Sequence, residues 1–185
     1  VIRETSNTDD TVSTVSNDTS AIAKAAAIND STEFHGVTAK VTASVENLGA
    51  ITSANFTPTA NLTINGETVT GISTQNDDAD GTLVDAINAL SDKTGVVATI
   101  GDDNSLVLTA EDGRNIEVTT VGDTGLAGIA NDTTEVTRGG LILQSEQNIV
   151  IGNTAGTLAA VGGAGEEALL GLAVDQTVLG VNTDF

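Results

Sequence analysis

The chain has no cysteine, methionine, tryptophan or tyrosine, and only one histidine and one proline in 185 residues. Without cysteine there is no disulfide framework and no thiolate metal site. A single histidine leaves zinc-protease motifs and Ser-His triads hard to assemble. The only aromatics are three Phe, so the core has to be built from Val, Ile, Leu and Ala. Cations are scarce too: 6 Lys and Arg against 26 Asp and Glu give a formal charge of −20. Neutralising phosphates needs clustered Lys and Arg, which argues against nucleic acid as a partner. The same deficit argues against docking on an anionic membrane. No run approaches the ~20 apolar residues of a membrane-spanning helix. The opening VIRETSNTDD has no apolar signal-peptide core, which fits a cytosolic protein or an excerpt of a longer one. VIRE at one end and NTDF at the other read as cut from the middle of something. The length suits one sizeable domain or two to three small ones.

What is present alternates. In VTAKVTASV, Val37, Ala39, Val41, Ala43 and Val45 fall on one face and Thr38, Lys40, Thr42 and Ser44 on the other, the pattern of one half-buried antiparallel strand. Asn65-Gly66 interrupts NLTINGETV as a type I′ hairpin turn does, both central residues needing φ > 0. That loop pairs Leu62 with Val69, on the face of Ile64. A second hairpin is expected from SLVLTA to NIEV, turning at Asp112-Gly113 with Leu106, Leu108, Ile116 and Val118 inward. GGLILQS and QNIVIGN form a third strand group.

Two segments have helical spacing. In TLVDAINALSDKTG, Leu83, Val84, Ile87 and Leu90 make one stripe, Thr82 and Asp85 resemble a capping box, and Gly95 ends the helix. SAIAKAAAIND is rich in Ala, with Asp18 or Ser20 as cap. A short third helix is expected around GEEALLGL. The two main helices carry matching text. AAINDSTEFHGVTAKV and DAINALSDKTGVVATI align without gaps, with Ile28-Asn29 on Ile87-Asn88, Gly36-Val37 on Gly95-Val96, and Ala39 on Ala98. One helix over antiparallel strands, twice repeated, predicts an α+β chain of β-sheets and hairpins with two short packed helices.

None of the polar clusters reads as a catalytic or metal site. His35 has no second His or Cys to share a metal. NDDADG at 76–81 starts like an EF-hand loop, but Ile87 stands where that loop needs a bidentate Glu. GDDN at 101–104 and EDGR at 111–114 sit where strands turn, and VGGAGEE lacks the Lys and spacing of a P-loop. Asn-x-Ser/Thr triplets at Asn17, Asn29, Asn55, Asn61 and Asn131 are what chance gives in a chain this rich in Asn and Thr. No enzyme activity, no cofactor and no metal are expected.

The stretch LTINGETVTGI…GTLVDAINALSDKTGVVATIGDDNSLVLTAEDGRNIEV resembles the flagellin hook IN motif of bacterial flagellins and hook-associated proteins. The resemblance rests on Ile64-Asn65-Gly66, Ala86-Ile87-Asn88, Thr94-Gly95-Val96, and the closing run from Leu106 through Asp112-Gly113 to Ile116. SAIAKAAAIND…GVTA is similar to flagellin sequence leading into the outer region, and RGGLILQSEQNIVIG with EEALLGLAVDQTV to the return toward the filament core. This implies three parts: residues 1–45 (lead-in helix plus strand), 46–132 (IN-motif domain) and 133–185 (returning β-rich segment with short helix). It further implies a structural role: the surface-exposed outer domain of a flagellin subunit, exported by the type III route, extracellular, serving motility. The partners would be other flagellin subunits, met through coiled-coil ends absent here, so the fragment is expected to be monomeric. Alternatives are a hook–filament junction domain or an adhesin-like binding module. Thr38, Thr42 and Ser44, on the polar face of their expected strand, are candidate O-glycan acceptors.

Overall fold

A computed structural model describes residues 2–149, 152–153 and 156–157. In chain order the elements are α1 (Ala21–Asn29), α2 (Thr32–His35), β1 (Val37–Val41), β2 (Ser44–Ala50), β3 (Ala54–Asn55), β4 (Asn61–Ile64), β5 (Glu67–Val69), β6 (Ser73–Thr74), α3 (Thr82–Asn88), α4 (Ser91–Thr94), β7 (Val97–Ile100), β8 (Ser105–Ala110), β9 (Ile116–Val121), β10 (Thr134–Thr137), β11 (Leu141–Ser145), β12 (Gly152–Asn153) and β13 (Gly156–Thr157). The fold is α+β, mostly β, as the alternation implies. All pairings are antiparallel. A four-stranded sheet runs β10-β9-β4-β5, a three-stranded one β2-β8-β7, and β1-β11, β3-β6 and β12-β13 are pairs.

Leu62, Ile64, Val69, Ile116 and Val118 from the four-stranded sheet, Leu48, Ala98, Leu106 and Leu108 from the three-stranded one, and Leu83 and Ile87 from α3 form one buried core closed by Phe56. Each fully buried Leu or Ile contributes roughly 1.5–3 kcal/mol. A smaller cluster of Ala21, Ala25, Ala39 and Leu141 holds α1 on β1 and β11, with Ile28, Val41 and Leu143 partly buried against it. Thus the lead-in and returning segments meet in one ribbon, while the sheet of the middle segment extends past residue 132 to Thr137.

Four expectations need correction. The VTAKVTASV strand is two strands: Val41 pairs with Leu141 in one sheet, whereas Ser44 pairs with Ala110 in another. The crossing at Thr42-Ala43 flips the pleat, so Ser44 is buried and Val45 is 55% exposed. The expected β8–β9 hairpin is instead a corner between sheets, β8 pairing with β2 and β7 and β9 with β4 and β10. Its four apolar residues do point into the core. The Thr82–Asp85 capping box does not form. Gly81, at φ 73°, is the N-cap, and the Leu83 and Val84 amides donate to Asp78 Oδ1 and Oδ2 at 2.9 and 3.0 Å. Finally, the helix of 82–94 breaks after Asn88 and resumes for one turn. Ser20 does cap α1, accepting from the Ala23 amide. The helix expected around GEEALLGL lies outside the described residues.

Candidate functional site

Asn65, Gly95 and, through Arg114, Asp112 meet around Thr94 at the end of α4. At the β4–β5 turn Asn65 has φ 47° and Gly66 φ 87°, the two positive angles of a type I′ turn. A Cβ on Gly66 would meet nothing within 4 Å, so glycine is there for its backbone angle alone. Asn65 does more than turn the chain. Its side chain is buried, with Oδ1 accepting from the Glu117 amide at 2.8 Å and Nδ2 donating to the Thr94 carbonyl at 2.9 Å. Its own amide donates to the Glu117 carbonyl at 3.0 Å. One residue therefore joins the hairpin, β9 and the end of α4.

Ile87 fills the core and Asn88 ends α3 with its amide group aimed at β7. Asn88 Oδ1 accepts from the Ala98 amide at 2.7 Å and Nδ2 donates to the Ala98 carbonyl at 3.0 Å. β7 is an edge strand whose other side pairs with β8. The Asn88 amide thus acts as one rung of a missing strand, satisfying edge groups that would otherwise be open. Gly95 then turns the chain at φ 69°. Over it lies the Arg114 guanidinium, occupying the space that a Cβ would need. Arg114 Nη2 and Nε both donate to Asp112 Oδ2, at 2.7 and 2.9 Å, and Nη1 reaches the Thr94 carbonyl at 3.4 Å. Burial pushes the Asp112 carboxyl up, but the Arg114 contact outweighs it and holds the group below the usual carboxylate range. The same hydrogen bond raises Arg114. Gly113, at φ 77°, lies against Val41 and the Thr42 carbonyl, where the chain crosses between sheets.

The first copy of the repeat builds the same device. Asn29 Oδ1 accepts from the Ala39 amide at 2.8 Å and Nδ2 donates to the Ala39 carbonyl at 3.0 Å, with Gly36 at φ 68° between them. The matching text contained both Asn and both Ala, but the bidentate clip was not read from it. The signal was the fixed ten-residue interval from Asn to Ala in each copy.

The remaining candidates scatter. Thr38 is exposed, Thr42 is half-buried and accepts from the Gly140 amide at 3.0 Å, and Ser44 is fully buried, its hydroxyl donating to the Arg114 carbonyl at 2.6 Å. Ser44 is therefore not on the polar surface its alternation suggested. His35 Nδ1 accepts from the Val37 amide at 3.1 Å, which makes it part of the turn after α2. In NDDADG, Asp78 is buried as the cap of α3. Asp103 of GDDN accepts from both the amide and the hydroxyl of Ser105. Among the described residues no three His, Asp or Glu stand together as a metal site, and no helix is long and apolar enough to cross a membrane. What Ile64-Asn65-Gly66, Ile87-Asn88, Gly95 and Asp112-Gly113 do together is fasten two sheets and a helix into one unit. Residues 61–112, which hold all of those positions except Gly113, match the family model of the flagellin hook IN motif, so the chain carries that motif.

Proposed function

We propose that this chain is the surface-exposed outer domain of a flagellin subunit, displayed on the extracellular face of a bacterial flagellar filament and serving motility. The observation that carries the reading is the motif match at 61–112 falling on a self-contained core. The longest helix among the described residues has 9 residues, and its apolar face is covered by β1 and β11. No helix there offers a free seam for a coiled coil, so polymerisation contacts fall to other segments of the subunit. The charge of −20 keeps a dense polymer hydrated and discourages lateral association. Lack of cysteine suits export of an unfolded chain, since nothing can cross-link on the way. Exposed hydroxyls such as Thr38 are available for O-linked sugars.

The test is deletion of residues 1–185 from the parent subunit, with electron microscopy of the resulting strain. Filaments of altered surface are expected. A strain that exports the shortened subunit normally and makes no filament would overturn the reading. The intact mass of the subunit from native filaments reports on sugars, and a bare polypeptide mass removes them from the proposal.

A further inference from the structure

Acidic side chains in the loops are mostly satisfied by their own neighbours: Asp78 by two amides, Asp103 by Ser105, Asp112 by Arg114. Asp10 is different. It is 1% exposed, its Oδ1 accepts from the Val12 and Ser13 amides at 2.9 and 3.0 Å, and its Oδ2 has no hydrogen-bond partner among the described residues. Asn115, 0% exposed, presents a second such atom. Its Nδ2 donates to the carbonyls of Val15 and Ser16 at 2.8 and 3.1 Å, which fixes which end of the amide is the unpartnered Oδ1. Ser13 joins the two residues, its amide on Asp10 and its hydroxyl oxygen accepting from the Asn115 amide at 2.9 Å.

Burial pushes the Asp10 carboxyl up, but the adjacent Ser13 and Ser20 hydroxyls and the Ser13 and Val12 amides outweigh it and keep the group ionised. None of the four ion pairs among the described residues involves Asp10. Arg114, the guanidinium that feels its field, is committed to Asp112. A buried acceptor left without a donor is destabilising, and more so when charged. Two such oxygens and the Ser13 hydroxyl, with one negative charge that no ion pair compensates, make a hard-oxygen environment.

We propose that Asp10 Oδ2 and Asn115 Oδ1, with the Ser13 hydroxyl between them, bind one hard cation of the calcium class. With a single carboxylate the affinity falls at the weak end for oxygen-ligated calcium, about 10⁻⁴–10⁻³ M. The bound ion pins residues 10–17 onto the corner that closes the IN motif. The proposal does not depend on the flagellar reading.

The experiment titrates the whole chain with calcium chloride, following the backbone amide resonances of Val12, Ser13 and Asn115 and the unfolding temperature. Sodium chloride at matched ionic strength is the control. Asp10→Asn is the variant: its Oδ1 can still accept from the Val12 and Ser13 amides, so the turn keeps its hydrogen bonds without the charge. Saturable shifts at those three amides are expected, with a Tm rise of about 3–6 °C at tenfold excess over Kd. Both are absent in Asp10→Asn. No saturable shift up to about 10⁻² M, well beyond the range for such sites, would overturn the proposal and leave the two oxygens to a bound water. An equal Tm rise in Asp10→Asn or with sodium chloride would also overturn it, since that is screening of the net charge.

Discussion

In the first helix–strand unit Asn29 clips Ala39 and Gly36 turns the chain at φ 68°; in the second Asn88 clips Ala98 and Gly95 turns it at φ 69°. The backbone repeats even at the residue between helix and turn, Ser31 at φ −111° and Leu90 at φ −101°. What differs is the filling. α1 buries Ala21, Ala23, Ala25 and Ala27, and Ile28 is only half-buried against a four-residue cluster. α3 buries Leu83 and Ile87 in the main core. The same local geometry therefore stands on two very different amounts of apolar contact. A clip and a glycine turn specify how a helix meets its strand, while the depth of the core decides how firmly it stays there.

The largest contrast is expected for truncating the paired isoleucines. Ile87→Ala should cost about 2–5 kcal/mol by transfer and cavity terms, whereas Ile28→Ala, half-buried, should cost roughly 1 kcal/mol. Denaturant unfolding of the two variants measures the gap. Next come the clips. Asn88→Ala leaves the amide and carbonyl of buried Ala98 without partners, at about 2–3 kcal/mol. Asn29→Ala on the shallower unit should cost about 1 kcal/mol, water replacing part of the bond. Equal costs would mean that the clips, rather than the cores, set the strength of each unit. The glycines separate less. Alanine at either is strained by its left-handed angle, about 1 kcal/mol, but only at Gly95 would the new Cβ also displace Arg114. Gly95→Ala should exceed Gly36→Ala by about 1 kcal/mol, and Arg114→Ala should erase that excess.

Much of this was legible in the sequence where a single local requirement decides the structure. Asn65-Gly66 was readable because a two-residue turn demands two positive φ values, and Leu62 does pair with Val69. Gly36 and Gly95 were readable as helix stops for the same reason. Partner choice was not. Period-two alternation tells which face a residue takes but not which strand lies beside it, so β8 and β9 read as a hairpin while lying in different sheets. The flip at Thr42-Ala43 was invisible because apolar and polar residues alternate without a break from Val37 to Val45. Capping of α3 was misread because Asp78 reaches from four residues before the helix. The clips were missed because Asn at a helix end has an obvious local role as a terminator, which hid the longer-range one.

The smallest expected effect is on pH. Arg3 holds Asp9 at 2.7 Å and Asp30, the residue capping α1, at 2.6 Å. Its hydrogen bond lowers the Asp9 carboxyl to about 2. A carboxyl depressed in the folded state lends stability that is fully present above its unfolded value, about 3.9. That stability is lost as pH falls toward about 2. Acid should therefore loosen the first unit in that window, and Arg3→Ala should move the Asp9 carboxyl resonance titration back toward about 3.9. An unchanged midpoint would break the assignment of Arg3 as the tie between the N-terminal segment and α1.

Hydrogen exchange at two backbone amides compares the units most directly, because Ala39 and Ala98 donate to the same kind of partner with nearly the same geometry, at 2.8 and 2.7 Å. If core depth governs, the Ala98 amide exchanges only through global unfolding, and Ala39 exchanges at least tenfold faster through local opening of α1 from β1 and β11, a difference of about 1.4 kcal/mol or more. Equal protection at the two amides would contradict the account, placing the strength of each unit in its clip instead of in what lies beneath it.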